Sequence, residues 1–583
     1  MHAPNAVQSP YQAFVHAAAR HADLPFLFVP ASTVSRYQPG PTVGDVAGDG
    51  SLTLPYAQML ALIDAQKDRY LTAGYGRGCR VALLLENRPE FFVHFFALNA
   101  LGASIVPLNR DAPAHELQFV AQHSAVSLAI GLGPTLALLQ NALGDRVAIL
   151  DAAHLPALPA RRDPPAAPDG NHTARAPSTR DECAILYTSG TTGQPKGCIL
   201  DNGYFLSIGT MYVNQGGHCA LRPGRERLIT PLPLFHMNAL ACSTMAMVLT
   251  GGCVIQLDRF HPRSWWSDVV ESGATIIHYL GVMPAILLSL DPAGDPMPAT
   301  AGYAVNRDDG NSDDGNSDNG GSRKAHAVCF GYGANVDPRH HHHFEARFGF
   351  PLIEAWAMTE TGGAVVIAAS HEPRHVGQRC FGRAGRGVAL RLVDDQGRDV
   401  GDSVPGHLLV RRDGEHARQG FFRGYLNDPA ATDAAWRDDW FVTGDIVRRD
   451  AQGNLFFVDR SKNIIRRSGE NIAALEVEAC LLEHDAVQQT AVIAAPDALR
   501  DEEVLACVVA APGATRDQAT AIALQRWCLE RLAYYKAPGY IAFVDALPTT
   551  STNKVQKMRL AAFAQNPLDT PACFDLRSTK KRA

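Results

Sequence analysis

Hydrophobic positions alternate between two rhythms along the first part of the chain. From Tyr56 to Tyr70 they fall at helical spacing, Arg80 to Leu85 (RVALLL) is a short apolar run, Glu90 to Leu101 is helical again, and Gly102 to Pro107 (GASIVP) is another run. Apolar residues three and four apart mark a helix with one buried face; short apolar runs bounded by Gly or Pro mark buried strands. Strand, helix, strand with short turns predicts a parallel sheet covered by helices. The texture resumes with a strand at Ala184 to Tyr187, a following helix, and strands at Gly252 to Leu257 and Thr275 to Leu280 separated by a helix holding Trp265 and Trp266. Past Trp440 it changes. Leu455 to Arg460 (LFFVDR) is strand-like, and SKNIIRRSGENIAALEVEACLLEH reads as a basic turn entering an amphipathic helix. Strands at Gln489 to Ala494 and Val504 to Ala510 and a helix at Ala519 to Leu532 complete a small α+β domain, with Asp459 to Lys462 as its joint.

Two stretches carry neither rhythm. Leu155 to Arg180, rich in Pro, Ala and Arg, reads as a surface linker. Arg307 to Arg323 (RDDGNSDDGNSDNGGSR) resembles a calcium loop in spacing, but it lacks the closing glutamate and flanking helices. It reads as a disordered insertion, about 303–323, whose closure costs little because loop entropy grows logarithmically. The run His340 to His343 falls in a predicted helix, where adjacent positions do not share a face; it is expected to be exposed surface rather than a metal site.

At 583 residues the chain is too long for one core, so two or more domains are expected. A net charge of −6 gives no electrostatic case for nucleic acid or an anionic membrane. No apolar run is long enough to span a bilayer, and the start MHAPNAVQSP lacks a signal-peptide pattern. Twelve cysteines, scattered singly without a CxxC pair, fit reduced thiols and predict a cytoplasmic protein. A homodimer is left open.

The chemistry concentrates in Ala184 to Gly197, AILYTSGTTGQPKG. Glycines let a backbone approach an anion closely, Thr188, Ser189, Thr191 and Thr192 add neutral donors, and Lys196 adds a mobile cation. This is the composition of a triphosphate cradle. It is not a Walker loop, because Gly197 rather than Ser or Thr follows the lysine. His236, in the apolar run Leu228 to Leu240, reads from the residues alone either as a core histidine or as a functional one.

YTSGTTGQPKG, EAWAMTET, WFVTGDI and DRSKNIIRRSGEN occur in one order from Tyr187 onward. Together they resemble the adenylate-forming superfamily of acyl-CoA synthetases, aryl-CoA ligases, beetle luciferases and peptide-synthetase adenylation domains. The similarity spans about Tyr56 to Arg559. It implies an α/β fold: a large N-terminal domain (1–459) of stacked mixed and parallel sheets with helices and a small β-barrel-like subdomain, then a small mobile C-terminal α+β domain (460–583). It also implies a reaction. A carboxylate attacks the α-phosphate of ATP, giving acyl-adenylate and pyrophosphate, and the thiol of coenzyme A then displaces AMP.

The resemblance assigns the residues. Thr188, Ser189, Gly190, Thr191, Thr192, Gly193 and Lys196 hold the β,γ-phosphates, and Thr359 touches phosphate. Glu360 binds Mg²⁺, a hard cation suited to oxygen ligands. Gly333, Ala334 and Asn335 form the adenine turn, here with Tyr332 and Asn335 where glycine and proline are usual. Glu354, Ala355, Trp356, Ala357 and Met358 complete the nucleotide wall, with Trp356 stacking on adenine. Asp445 and Arg460 hold the ribose. Lys554 is the catalytic lysine that bridges carboxylate and α-phosphate, where a placed charge contributes roughly 3–4 kcal/mol; Asn553 replaces its usual preceding glycine. Lys462 is the hinge on which the small domain turns, bringing Ser468, Gly469 and Glu470 to the coenzyme A side. His236 gates the passage between acyl pocket and thiol, and His236, Met237, Gly281, Met283, Tyr332 and Ala357 line that pocket. Ala357, where acetate-restricted relatives carry tryptophan, implies an acid larger than acetate; Ala357 and Tyr332 together argue against the roomiest long-chain pockets. The tail motif STNKVQK and SGENIAALEVE resemble carnitine/crotonobetaine-type and related short-to-medium acyl-CoA ligases. Three alternatives share much of this set: an adenylation enzyme loading a carrier-protein thiol, a luciferase-like oxidative enzyme, and a non-catalytic ATP-binding relative.

Overall fold

A computed structural model describes residues 7–153, 158, 177–188, 195–290, 326–467, 470–497, 500–549, 555–570 and 572–580. Most of the 155–180 linker and all of the insertion at 303–323 lie outside these residues. The chain divides into two compact units: 1–389 with 410–441, and 390–409 with 442–583.

The first unit holds two sheets. Strands β1 (Pro25–Val29) and β2 (Leu52–Pro55) open the chain; β3 (Arg80–Leu84), β4 (Ser104–Pro107), β5 (Leu128–Gly131), β6 (Ala148–Asp151), β7 (Glu182–Thr188) and β8 (Lys196–Asp201) follow. Next come β9 (Arg227–Thr230), β10 (Cys253–Gln256), β11 (Ile276–Leu280), β12 (Phe330–Ala334), β13 (Leu352–Trp356) and β14 (Ile367–Ala368). One sheet runs β6-β5-β3-β4-β7-β8, parallel until the final β7–β8 hairpin. The other runs β14-β13-β12-β11-β9-β10-β1-β2, parallel inside and antiparallel at both edges. Parallel neighbours need helical crossovers, and the predicted helices Pro89–Ala100 and Trp265–Glu271 supply them, while Tyr56–Thr72 carries the chain from β2 of one sheet to β3 of the other.

The sheets differ in what covers them. Helices Ala114–His123 and Pro134–Leu143 bury Leu117, Val120 and Leu139 against Ala82, Val106, Ala129 and Ile185 of the first sheet. Helices Trp265–Glu271, Val282–Ser289 and Pro338–Phe348 bury Trp265, Leu287 and Phe344 against Ile229, Ile255, Ile277 and Leu352 of the second. Helix Pro89–Ala100 is buried nearly all round: Phe91, Phe92, Phe95 and Phe96 pack in the core, and its buried Glu90, His94 and Asn99 are hydrogen-bonded to Thr42, Tyr70 and Tyr11. Helix Asn202–Val213 starts where Asp201 accepts the Tyr204 N–H at 2.8 Å and turns Tyr204, Ile208 and Tyr212 onto one buried face.

The histidine run departs from expectation. His342 and His343 are exposed, but His341 is buried, with its Nε2 3.0 Å from the Leu352 carbonyl and 3.1 Å from Glu345. Four residues cover more than a full helical turn, so one of them must face the sheet. Among the described residues no group of three or more His, Cys, Asp or Glu could hold a metal ion by itself, and no helix is long and apolar enough to cross a membrane.

In the second unit, Asp445–Arg449 pairs antiparallel with Leu455–Arg460. Beyond them a sheet ordered Glu470–Ala473, Ile464–Arg467, Asp501–Ala510, Tyr540–Phe543, Cys573–Asp575 carries Val487–Asp497 on its long strand. Helices Ala474–Leu482 and Gln518–Arg531 pack on it through Val477, Leu481, Leu524 and Cys528. The segment read as a basic turn is instead the hairpin Ile464–Arg467/Glu470–Ala473. Its charges hid the alternation: Arg466 faces outward, while Arg467 shares the core-facing side with Ile465 and Ile472, buried against Glu503 at 2.8 Å.

Candidate active site

In sequence, residues 189–195 join β7 to β8. Thr188 and Lys196 face each other across the strands, both half-buried. Ser189, Gly190, Thr191, Thr192 and Gly193 lie outside the described residues. The segment 423–426 runs alongside β8: Ile199 donates to the Gly424 carbonyl at 3.0 Å, Arg423 to Ile199 at 2.8 Å and Leu426 to Gly197 at 2.8 Å. This lays Tyr425 alongside β8, bridged to Cys198 and next to Lys196. Lys196 Nζ sits 4.9 Å from the centre of its ring, and its hydroxyl donates to Glu360 Oε1 at 2.8 Å. The Phe422 N–H also donates to the Glu360 carbonyl at 2.9 Å. Burial, and then the Glu360 charge, push the Tyr425 phenol up, so it stays a donor.

Glu360 is buried, with 7% of its surface exposed, in the turn after β13. One hard carboxylate with no protein cage around it suits a metal that arrives with phosphates and keeps several waters, which is how Mg²⁺ is usually held. Thr359, Ala357 and Met358 are half-buried in the same turn, where Met358 N–H donates to Thr361 Oγ1 at 3.1 Å.

A second construction holds the turn at 333–335, expected to face adenine. Glu354 of β13 is buried; its Oε2 accepts the Asn335 N–H at 2.9 Å and its Oε1 the Val336 N–H at 2.8 Å. Burial pushes its carboxyl up against the opposing pull of these N–H groups. Asn335 has φ +64°, which the two bonds maintain. Gly281, at the end of β11, lies under the same turn: a Cβ there would stand 1.6 Å from the Asn335 carbonyl oxygen. Glu354 is therefore a scaffold for the turn rather than a free ligand, because both its carboxylate oxygens are engaged. Trp356 is almost wholly covered and stacks near Phe381, with ring centres 6.1 Å apart.

The third cluster lies on the other face of β11 and β12. Tyr332 is buried with its ring stacked on Tyr212, centres 4.6 Å apart, and on His278 at 5.4 Å. Its hydroxyl has no hydrogen-bond partner among the described residues. His278 Nδ1 lies 2.8 Å from both Ser243 Oγ and Asn238 Oδ1, at the two ends of the π-helical turn Asn238–Ser243, and its Nε2 lies 2.9 Å from Tyr212 Oη. Burial holds His278 down to about 3, so it stays neutral. His236, just before this turn, is exposed beside Phe235, which excludes the core-histidine reading. Met237 is half-buried. Met283, expected in the acyl pocket, is packed in the apolar core with Trp265, Leu287 and Phe344, because the helix beginning at Val282 turns it onto the sheet.

In the second unit, Asp445 is fully buried and Arg460 Nε lies 2.8 Å from its Oδ1. The adjacent Asp459, also fully buried, accepts from Arg460 N–H at 2.7 Å, Asn463 at 3.1 Å and Leu475 N–H at 2.9 Å. Lys462 stands in the short 3₁₀ turn Ser461–Asn463 and Glu470 is exposed. Ser468, Gly469 and Lys554 lie outside the described residues.

The sequence model of the AMP-binding enzyme family matches residues 37–426, two-thirds of the chain, and that of the AMP-binding enzyme C-terminal domain matches 476–554. The chain belongs to the AMP-binding enzyme family. The sulfoacetate–CoA ligase of Cupriavidus necator is 32% identical to this AMP-binding enzyme over 84% of the chain and 89% of its own length. The crotonobetaine/carnitine–CoA ligase of Proteus mirabilis is 27% identical, over 87% and 92%. Its fold matches ATP-bound MatB from Rhodopseudomonas palustris (TM-score 0.74, 22% identity, 96% of this chain and 99% of that one). It likewise matches o-succinylbenzoate coenzyme A synthetase from Bacillus subtilis with ATP and magnesium ion (TM-score 0.71, 20% identity, 94% and 99%). This AMP-binding enzyme is an acid–thiol ligase, using ATP, Mg²⁺ and coenzyme A and proceeding through an acyl-adenylate.

Three groups were missed in the sequence: Tyr425, the His278–Tyr212 pair, and the scaffolding role of Glu354. The first had one local signal, a Gly-Tyr pair just before the helix cap Asp428. The other two depend on contacts between distant strands and helices.

Proposed function

We propose that the ligase activates a short carboxylic acid bearing a second polar or charged group. The observation that carries this is the Tyr332 hydroxyl, buried without a partner beside a neutral His278. A buried, unpaired hydroxyl costs about 1–3 kcal/mol, and a polar group on the substrate would recover it. The two relatives are named for acids of this kind: sulfoacetate, crotonobetaine and carnitine each carry a charge besides the reacting carboxylate.

In this reading the loop from Thr188 to Lys196 holds the β,γ-phosphates and Glu360 holds Mg²⁺. Asp445 and Arg460 take the ribose, and Lys554 bridges the attacking carboxylate and the α-phosphate. Lys462 is the hinge that brings Ser468, Gly469 and Glu470 to the coenzyme A side, and His236 is the gate. The cytoplasm, with its ATP and coenzyme A, is the compartment that suits the enzyme, and the free cysteines fit it.

The test is a panel of acids matched in length, with distal carboxylate, sulfonate, ammonium or methyl ends, scored for pyrophosphate with ATP, Mg²⁺ and coenzyme A. A polar-ended acid should have the highest kcat/KM, and Tyr332→Phe should lower that preference by about tenfold, the worth of one hydrogen bond in a buried site. A preference for methyl-ended acids that Tyr332→Phe leaves unchanged would sink the assignment. Acyl thioester and AMP formed on a carrier-protein thiol, with none formed on coenzyme A, would replace coenzyme A in it.

A further inference from the structure

We propose that Tyr425 is a positioning residue of the metal–triphosphate site, holding Lys196 and Glu360 apart and each aimed at the nucleotide. The proposal rests on the reading of Lys196 as a phosphate group and Glu360 as the metal carboxylate. Tyr425 touches both. Its ring lies under the Lys196 ammonium, 4.9 Å from Nζ, and its hydroxyl holds one Glu360 oxygen at 2.8 Å. An ammonium and a carboxylate at one site collapse into an ion pair unless something stands between them, and a paired Lys–Glu offers neither charge to a ligand. An aromatic ring offers the cation a face without neutralising it. The phenol occupies one lone pair of the carboxylate and leaves the second oxygen for a metal.

The tyrosine is itself fixed from several sides. Its N–H donates to Thr432 Oγ1 at 2.9 Å, and Thr432 Oγ1 donates to Asp428 O at 2.9 Å. Phe422 packs edge-on against the ring, with centres 4.8 Å apart. Gly424, at φ +145°, leaves no side chain to strike Thr432, whose Oγ1 would lie 3.1 Å from a Cβ there. The segment is also hydrogen-bonded to β8 on one side and to the Glu360 carbonyl on the other. Loop strand and carboxylate turn are thereby referenced to one ring.

The experiment measures binding of Mn²⁺ with α,β-methylene-ATP by electron paramagnetic resonance, alongside Mg²⁺ titrations of pyrophosphate release. Tyr425→Phe keeps the spacer and loses the hydrogen bond; metal affinity should fall by about tenfold, and excess Mg²⁺ should restore the rate. Tyr425→Leu also loses the spacer, and no metal concentration should restore it. A folding defect would not separate the two variants by metal rescue. Glu360→Gln is the reference arm. If it leaves metal binding unchanged, the metal-carboxylate reading fails. If it abolishes metal binding while Tyr425→Phe and Tyr425→Leu both bind within twofold of the parent, the positioning role alone is overturned.

Discussion

Replacing Glu354 by glutamine changes almost no volume and reverses one polar contact. In the unmodified enzyme both carboxylate oxygens accept, from Asn335 N–H at 2.9 Å and Val336 N–H at 2.8 Å. A glutamine amide offers one acceptor and one donor, so one backbone N–H is left facing an NH₂ group. Losing a hydrogen bond to a charged group costs about 1.5–3 kcal/mol, and a buried N–H without a partner costs about 1–3 kcal/mol more. The lower ends together come to about 2.5 kcal/mol. Asn335 is exposed and held at φ +64°, so the turn escapes this cost by leaving its conformation. Nucleotide binding must then rebuild it, and ATP affinity should fall on the order of 70-fold. Isothermal titration with ATP and Mg²⁺ reads the loss directly. Because burial raises the Glu354 carboxyl, ATP affinity of the unmodified enzyme should weaken on acidification before the ordinary glutamate range is reached, as the acceptor protonates. The glutamine variant should lack that component. A variant binding ATP within threefold of the parent, with the same pH profile, would refute the scaffold argument.

Three further outcomes follow from the same structure. Gly281→Ala places a Cβ 1.6 Å from the Asn335 oxygen and must push the turn away by more than 1 Å; kcat/KM for ATP should fall by about 100-fold, whereas Gly385→Ala, with open space around it, should be neutral. Lys554→Ala should abolish acid-dependent pyrophosphate release while largely sparing thioester formation from supplied acyl-adenylate; equal loss of both would defeat the alternation of the small domain. Lys580 is buried against Glu503 at 2.6 Å, and burial lowers its pKa from 10.5 to about 8, so the unfolded chain binds the proton more tightly between those values. Stability of the second unit, followed by Trp527 fluorescence in denaturant, should therefore rise by up to about 3 kcal/mol from pH 8 to pH 10.5, and Lys580→Met should flatten that rise.

The elements most legible in the sequence were those with one uninterrupted rhythm. Leu455–Arg460 has the predicted bounds, and the helix from Tyr56 runs two residues past its predicted end. The hairpin at 464–473 was lost because Arg467 takes a core-facing position beside Ile465, paired with the buried Glu503, leaving too few apolar residues to display a period of two. Motif position singled out Lys196 and Glu360, which the fold brings to the two sides of Tyr425. It could not show that Glu354 is spent on backbone N–H groups, because that depends on Asn335 folding back across two strands. Tyr425 was hidden for the same reason: its partners lie 65 residues away at Glu360 and further back at Lys196. Met283 shows the converse failure, since adjacency to Gly281 in sequence said nothing about which way the next helix would turn it.

Helix Asn202–Val213 carries both ends of this argument on one face. Tyr204 packs at the Glu360 turn, its hydroxyl 2.5 Å from where a Gly362 Cβ would be, and Tyr212 stacks on Tyr332. Eight residues of helix separate them by about 12 Å. On the proposed assignment, with Tyr332 at the acid and Glu360 at the metal, a rod bearing on both places would make acid and metal–nucleotide interdependent passengers. An ill-fitting acid that displaced Tyr332 would lever the rod and disturb the carboxylate at its other end. Such an enzyme rejects wrong acids less by refusing them entry than by failing to fire once they have entered.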